Sequence, residues 1–184
     1  MPLIVLILAR KRAGKTTLAR RLLPHLGGNT RVYAPAPIPG DVPLPLDDDG
    51  MTVMFREILD AEKTPDDSAV LFDDVDTVFA ESGGGSHRLR SLLLHCRQIG
   101  ISFVLTAKTP SQIPPSIRDN ADWIFYQPFR EARYLDWLES RGAPTAPPPG
   151  GDHEFWVTDF AGKIFHANAN SILTTGLQSV NFNT

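Results

Sequence analysis

"ILARKRAGKTTLARRL", Ile7 to Leu22, decides the fold. It follows the phosphate-binding pattern G-x-x-x-x-G-K-[ST] at every fixed position but the first, where Ala9 replaces glycine. A phosphate cradle needs a strand, a tight loop whose N–H groups point inward, and a helix whose N-terminus faces the anion. Residues 3–8 are continuously apolar, as a strand buried on both faces should be. A helix is expected from Gly14 to about residue 23, closed by Pro24 and Gly27-Gly28. Ala9, Arg10, Lys11, Arg12, Ala13, Gly14, Lys15, Thr16 and Thr17 then form the cradle. Lys15 would reach the β- and γ-phosphates of ATP, and the Thr16 hydroxyl would ligate Mg²⁺. A helix that merely opens on Gly-Lys-Thr is the plainer alternative. The strand before and the helix after favour the cradle, and alanine is the smallest departure from a glycine that mainly begins the turn.

The chain of 184 residues, 42% hydrophobic and 21% charged, fits one soluble globular domain with a real core. "MPLIVLIL" lacks the basic segment and the small-residue cleavage site of a signal peptide, and no apolar run reaches the roughly 20 residues a membrane helix needs. One cysteine, Cys96, excludes an internal disulfide and fits a reducing cytoplasm. The net charge of -3 gives no average attraction to nucleic acid, but Arg10, Lys11, Arg12, Lys15, Arg20 and Arg21 crowd one segment, and Arg88, Arg90 and Arg97 another. Such patches permit polyanion binding without showing it.

Apolar runs alternate with helical patterns, which predicts an α/β fold with a mainly parallel sheet. Strands are expected at 3–8, 31–34, 69–72, 101–107 and 122–127, and helices at 14–23, 52–62, 87–98 and 130–141. Val53, Ile58 and Leu59 are placed inward in the second helix; Leu89, Leu92, Leu93 and Cys96 form the stripe of the third. "PAPIPGDVPLPLDDDG", 35–50, is too proline-dense for regular structure, and "ESGGGSH", 81–87, reads as a flexible loop. The expected organisation is a core over 1–142, a Pro/Gly-rich linker over 143–151, and a C-terminal β-hairpin and tail over 152–184 packed on the same domain, the hairpin turning near Ala161-Gly162.

Mg²⁺ on ATP calls for a carboxylate at the end of a neighbouring strand. "AVLFDD" supplies two: Asp73 on the Mg²⁺ side, and Asp74 to polarise the attacking water, with Asp76 as its substitute. An Asp here could also cap the following helix. P-loop ATPases that use a second acid insert a strand between those carrying the two motifs. "ISFVLTA" fits that slot, ending in Thr106 or Lys108 beside the γ-phosphate, and gives the strand order 5-1-4-3-2.

"VLFDDVDTVF", "LLLHCRQIGIS" and "FVLTAKTPSQIPPSIRDNADWIFYQPF" together resemble the FtsK/HerA superfamily of P-loop (RecA/ASCE-like) ATPases. They are most similar to its compact branch, the genome-packaging ATPases of small phages and membrane-containing viruses. The resemblance spans about residues 3–130. It implies an ATPase that translocates double-stranded DNA from a homo-oligomeric ring, pentamer or hexamer, in the host cytoplasm or at the virion vertex, with a capsid or portal partner. It also implies that Arg97 is an arginine finger acting on the neighbouring subunit, with Arg118 and Arg88 as fallbacks; residue pattern alone reads Arg97 as a solvated arginine. Arg88 and Arg90 would touch DNA phosphates from the glycine-rich loop.

Three departures stand out: Ala9 for the first glycine, Asp74 for the family's usual glutamate, and Lys108 for the sensor glutamine. They predict slow or altered hydrolysis rather than a different ligand. The rival readings are a filamentous-phage assembly ATPase similar to the zonula-occludens-toxin family, an ATP-binding switch with little turnover, and a small-molecule kinase.

Overall fold

A computed structural model describes residues 1–60, 67–80, 84–128, 132–148, 153–159 and 161–169. β1 (Ile4–Leu8) lies at the heart of an eight-stranded sheet, flanked by β5 (Ile101–Ala107) and β6 (Trp123–Tyr126), both parallel to it. Outward from β5 follow β4 (Ser68–Phe72), β2 (Asn29–Ala34) and the short β3 (Val42–Pro43), also parallel. On the other flank, β7 (Glu154–Asp159) pairs antiparallel with β6, and β8 (Ile164–Asn168) with β7. The five expected core strands thus run in the order 5-1-4-3-2, with β5 inserted between β1 and β4.

Alternation along the strands builds two cores. Ile4, Leu6 and Leu8 of β1 face one side, where Val70, Phe72, Phe103 and Leu105 join them. Val5 and Ile7 face the other, with Leu71, Val104 and Phe125. α1 (Lys15–Leu26) covers the second side through Leu18, Ala19, Leu22 and Leu23. α2 (Asp48–Leu59) and α4 (Gly84–Leu94) cover the first, over the stacked rings of Tyr33, Phe72 and Phe103. Burial on both faces explains why the central strands read as unbroken apolar runs.

Several boundaries differ from the sequence reading. α1 carries Pro24 inside it and ends at Gly27, where any Cβ would fall 2.7 Å from the Asp67 carbonyl oxygen, so the close approach of β4 sets the helix end. α2 starts earlier than expected because Asp47 caps it, accepting the Gly50 N–H at 2.7 Å. Its buried stripe is Met51, Met54, Phe55 and Ile58, while Val53 and Leu59 are more than half exposed. These buried positions follow the i, i+3, i+4, i+7 spacing that the inward placement of Val53 and Leu59 broke. In the proline-rich segment the Leu44 N–H bonds the Ala34 carbonyl at 2.9 Å and Leu44 is buried, which lays Val42 and Pro43 along β2.

α4 begins at Gly84, inside the segment expected to be a loop, and the predicted single helix is interrupted at His95 before α5 (Cys96–Ile99). The His95 N–H is shared between the Ser91 and Leu92 carbonyls, which tightens the last turn and stops the helix. The remainder of the expected glycine-rich loop and the polar tail lie outside the described residues, as does the Cys96 side chain. α3 (Asp76–Ala80), a 3₁₀ turn (Pro110–Gln112), α6 (Pro115–Arg118) and α7 (Ala132–Glu139) complete the helices described. No helix among the described residues is long and apolar enough to cross a membrane.

Candidate active site

The phosphate loop leaves β1 at its carboxyl end. Ala9 continues the ladder through its N–H to the Ala107 carbonyl at 3.2 Å, is fully buried, and is not among the positive-φ residues. Nothing in its backbone requires glycine, so the departure at the first motif position carries no conformational cost. The turn is made instead by Arg12 (φ 67°) and Gly14 (φ 87°), the latter opening α1 without a side-chain cap. The uncapped first N–H groups of α1 therefore face the loop.

Lys15 folds back over the loop: its ammonium donates to the Arg10 carbonyl at 3.3 Å and lies 3.9 Å from the Asp74 carboxylate. Only 7% of its side chain is exposed, and burial pushes its pKa down against the pull of Asp74 and Asp73. Thr16 projects to the adjoining strand end, where its hydroxyl donates to both oxygens of Asp73 at 3.0 and 3.1 Å. Ala13 is buried beneath the loop, and Arg10, Lys11, Arg12 and Thr17 are exposed around it.

Asp73 closes β4, its N–H bonded to the Tyr33 carbonyl at 2.8 Å. Thr106, fully buried near the end of β5, donates to Asp73 at 2.6 Å and accepts the Asp74 N–H at 2.8 Å. One hydroxyl from the inserted strand therefore fixes both acids. Asp74 sits at φ 46°, a left-handed conformation that short polar residues tolerate best. Its side chain is 41% exposed, and burial raises its carboxyl pKa more than the Lys15 charge lowers it. This supplies a physical reason for aspartate where the resemblance led to glutamate.

Lys108 lies near enough for its charge to act on Lys15 and Asp74. Its ammonium bonds the buried Asp76 at 2.9 Å, which raises the lysine pKa, and no contact to Asp73 or Thr16 is seen among the described residues. Asp76 is thus the lysine's anchor.

Arg97 lies at the opposite end of the sheet. Its guanidinium holds Asp122 at 2.6 Å, and the second oxygen of Asp122 accepts the Ile4 N–H at 2.8 Å, at the start of β1. The phosphate loop begins one strand length away, roughly 16 Å for five residues, so Arg97 does not serve its own loop. Its side chain is 57% exposed. Arg118, a fallback, is mostly buried between the Pro110 carbonyl and the Trp137 ring. Arg88 and Arg90 stand exposed on α4, with Arg88 bonded to Thr52 of α2.

Sequence reasoning missed Asp122, whose role depends on a partner 25 residues away, and the contact between the C-terminal hairpin and Gly14. Local spacing carries no signal for either.

Thr16 and Asp73 present hydroxyl and carboxylate oxygens, the donors a hard divalent cation takes. Among the described residues no cluster of three His, Cys, Asp or Glu side chains could hold a metal alone. Mg²⁺ needs none, because it binds through one or two protein oxygens with phosphate and water completing its shell.

No protein-family model and no curated protein matches the sequence. Among solved structures, the genome packaging NTPase B204 from Sulfolobus turreted icosahedral virus 2, in complex with ATP-gammaS, superposes with a TM-score of 0.70 at 15% identity, over 89% of this chain and 96% of that one. EssC (ATPases 2 and 3) from Geobacillus thermodenitrificans gives a TM-score of 0.62 at 15% identity, over 85% of this chain and 37% of that one. The N-terminal domain of zonular occludens toxin from Neisseria meningitidis gives 0.55 at 16%, over 91% and 93%. These likenesses agree with the resemblance read from the sequence. At such identities they establish fold, and the chain has the P-loop NTPase fold, with a mainly parallel sheet and an added C-terminal hairpin.

Proposed function

We propose that the chain is an ATP-hydrolysing motor of the FtsK/HerA type that translocates double-stranded DNA and packages a viral genome into a capsid. The observation that carries this is the cluster of Lys15, Thr16, Asp73, Asp74 and Thr106 at the carboxyl ends of three neighbouring parallel strands, with β5 inserted between the phosphate loop and the two acids.

In this reading the loop from Ala9 to Thr17 cradles the phosphates, and Lys15 moves from the Arg10 carbonyl to the β- and γ-phosphates. Thr16 and Asp73 would hold Mg²⁺, which would supply positive charge against the phosphates. Asp74 orients the attacking water and takes its proton; a carboxyl raised by burial is the stronger base for that step. Lys108, aimed by Asp76, follows the γ-phosphate in place of the sensor amide. Arg97 completes the site of a neighbouring copy in a ring, so turnover requires assembly, and Arg88 and Arg90 contact DNA phosphates without reading sequence. A capsid vertex or portal protein is the expected docking partner, in the host cytoplasm.

ATP hydrolysis measured with and without double-stranded DNA, at low and moderate salt, tests this for wild type, Lys15→Ala and Arg97→Ala. DNA stimulation that salt removes and either substitution abolishes is the expected result. Tight ATP binding with background turnover on DNA and with capsid partner overturns the motor and selects the ATP-binding switch. That second reading draws on one observation: both site lysines are engaged by carboxylates, Lys15 near Asp74 and Lys108 on Asp76. A filamentous-phage assembly ATPase is the remaining rival, with the lower TM-score of the toxin domain behind it.

A further inference from the structure

The C-terminal hairpin reaches the phosphate loop. Although β7 is separated from β1 by β6, a Cβ placed on Gly14 would fall 3.0 Å from the His153 ring Nδ1 and 3.0 Å from the Ala169 Cβ. The last residue before β7 and the first beyond β8 therefore press against the residue that opens α1. Ala169 is fully buried there, packed with Ala9 and Ala13 in one cluster, whereas His153 is exposed.

The position of His153 is fixed by its neighbours. Its carbonyl accepts the Ala169 N–H at 2.8 Å, and the next carbonyl, that of Glu154, accepts the Gln127 side-chain amide at 3.1 Å. Gln127 in turn donates its N–H to the Leu8 carbonyl at 3.0 Å, at the end of β1. The Glu154 carboxylate accepts from the Asn168 amide and lies 2.8 Å from the His166 ring. Five residues of three strands and their ends thus anchor the backbone that presents an exposed imidazole at the lip of the loop.

The two sides of the α1 start differ in chemistry. Thr16, Asp73 and Asp74 mark the side toward β4 and β5, where hydrolysis would occur. A nucleotide whose terminal phosphate lies there extends across the loop to the side of β6 and the hairpin. That side offers the exposed imidazole of His153, backed by the buried alanines beneath it, and the face of the ring can pack on a base.

We propose that His153 is a nucleoside-contacting residue, its ring packing against the base and ribose of the bound nucleotide so that the hairpin forms the nucleoside wall of the site. The inference rests on the phosphate-loop reading. Preorganisation by the hairpin removes most of the ordering cost of the contact.

Binding of MgATP and of magnesium tripolyphosphate, measured by calorimetry on the full chain, separates the two halves of the ligand. His153→Ala is expected to weaken MgATP about tenfold, the scale of one ring–base stack, and to leave tripolyphosphate within about twofold of wild type. His153→Phe, which keeps the flat ring, restores MgATP binding; His153→Gln does not. If His153→Ala leaves MgATP within about twofold of wild type, or weakens tripolyphosphate equally, His153 merely supports the loop and the inference is overturned. Wild-type protein that binds neither ligand overturns the phosphate-loop reading itself, an outcome distinct from both.

Discussion

A buried aspartate ties strands together at each end of the parallel sheet, and the two differ in what they hold. At the carboxyl end Asp73 accepts from two hydroxyls, Thr16 and Thr106. At the amino end Asp122 accepts from a backbone N–H and from the guanidinium of Arg97. The first carboxylate accepts from neutral donors, with Lys15 turned to Asp74 and Lys108 to Asp76. The second is neutralised within the chain by a side chain that stays more than half exposed. In the proposed reading one end would receive a cation from outside, and the other carries an exposed guanidinium. In the proposed ring the second end of one copy would meet the first end of another, which is the physical content of a finger acting in trans.

The strongest way to break this pairing of ends is Arg97→Ala. The DNA-stimulated rate should fall by about 10³ or more while MgATP affinity holds, and mixing these subunits with Lys15→Ala subunits should recover part of the activity. Loss of ATP affinity, or no recovery on mixing, would refute action between subunits. At the other end, Thr106→Val keeps the volume but leaves Asp73 and the Asp74 N–H short of a partner. That should cost about 2 kcal/mol, seen as a fall in Tm of roughly 4–8 °C in calorimetry, together with a weaker response of the rate to Mg²⁺. An unchanged melt would show that Thr106 is not what fixes the two acids.

Asp74 sharpens the comparison through its charge. Its carboxyl is raised by burial, so the stability it contributes is present below the ordinary carboxylate pKa of 3.8 and is lost as pH rises through the folded value. Lys15, lowered by burial, contributes stability above 10.5 that is lost as pH falls through its folded value. Near pH 7 both charges therefore weaken the fold. Asp74→Asn should melt slightly higher than wild type at pH 7, with the difference vanishing below pH 3.8, while hydrolysis falls by about 10². A lower melt at pH 7 would contradict the assignment. The smallest effect belongs to Asp74→Glu: the longer arm reaches water better and turnover rises, but φ 46° suits glutamate less. A cost of about 1 kcal/mol, or some 2–4 °C in Tm, is expected, and an unaltered Tm with lower turnover would remove the strain argument.

The five core strands were legible as local runs read by period and by the residues at strand ends, whereas their order and the approach of the phosphate loop to Asp73 followed from the likeness to P-loop ATPases. Boundaries set from a distance were less legible. α1 runs past Pro24 to the point where β4 comes too close for a side chain, and α2 takes its start from Asp47. Lys108 illustrates the same limit at the site. Its spacing after β5 placed it near the phosphates, but a carboxylate 32 residues away in sequence decides where its ammonium rests. His153 carried no signal, since its meaning depends on a hairpin folding back across β6 to Gly14.

The placement of β1 also bears on how the molecule comes to be made. The strand that carries the phosphate loop has no strand partner among the described residues of the first half of the chain: it bonds Ser102 from Leu3, 99 residues apart, and Asp122 from Ile4, 118 residues apart. During synthesis Ile4–Leu8 emerges well before β5 and β6 and lacks both strand partners until they follow, a topology that folds slowly and is exposed to aggregation meanwhile. The surroundings of the phosphate loop are thus completed late, and a ribosome-bound fragment ending before residue 101 lacks both partners of the strand that bears the loop.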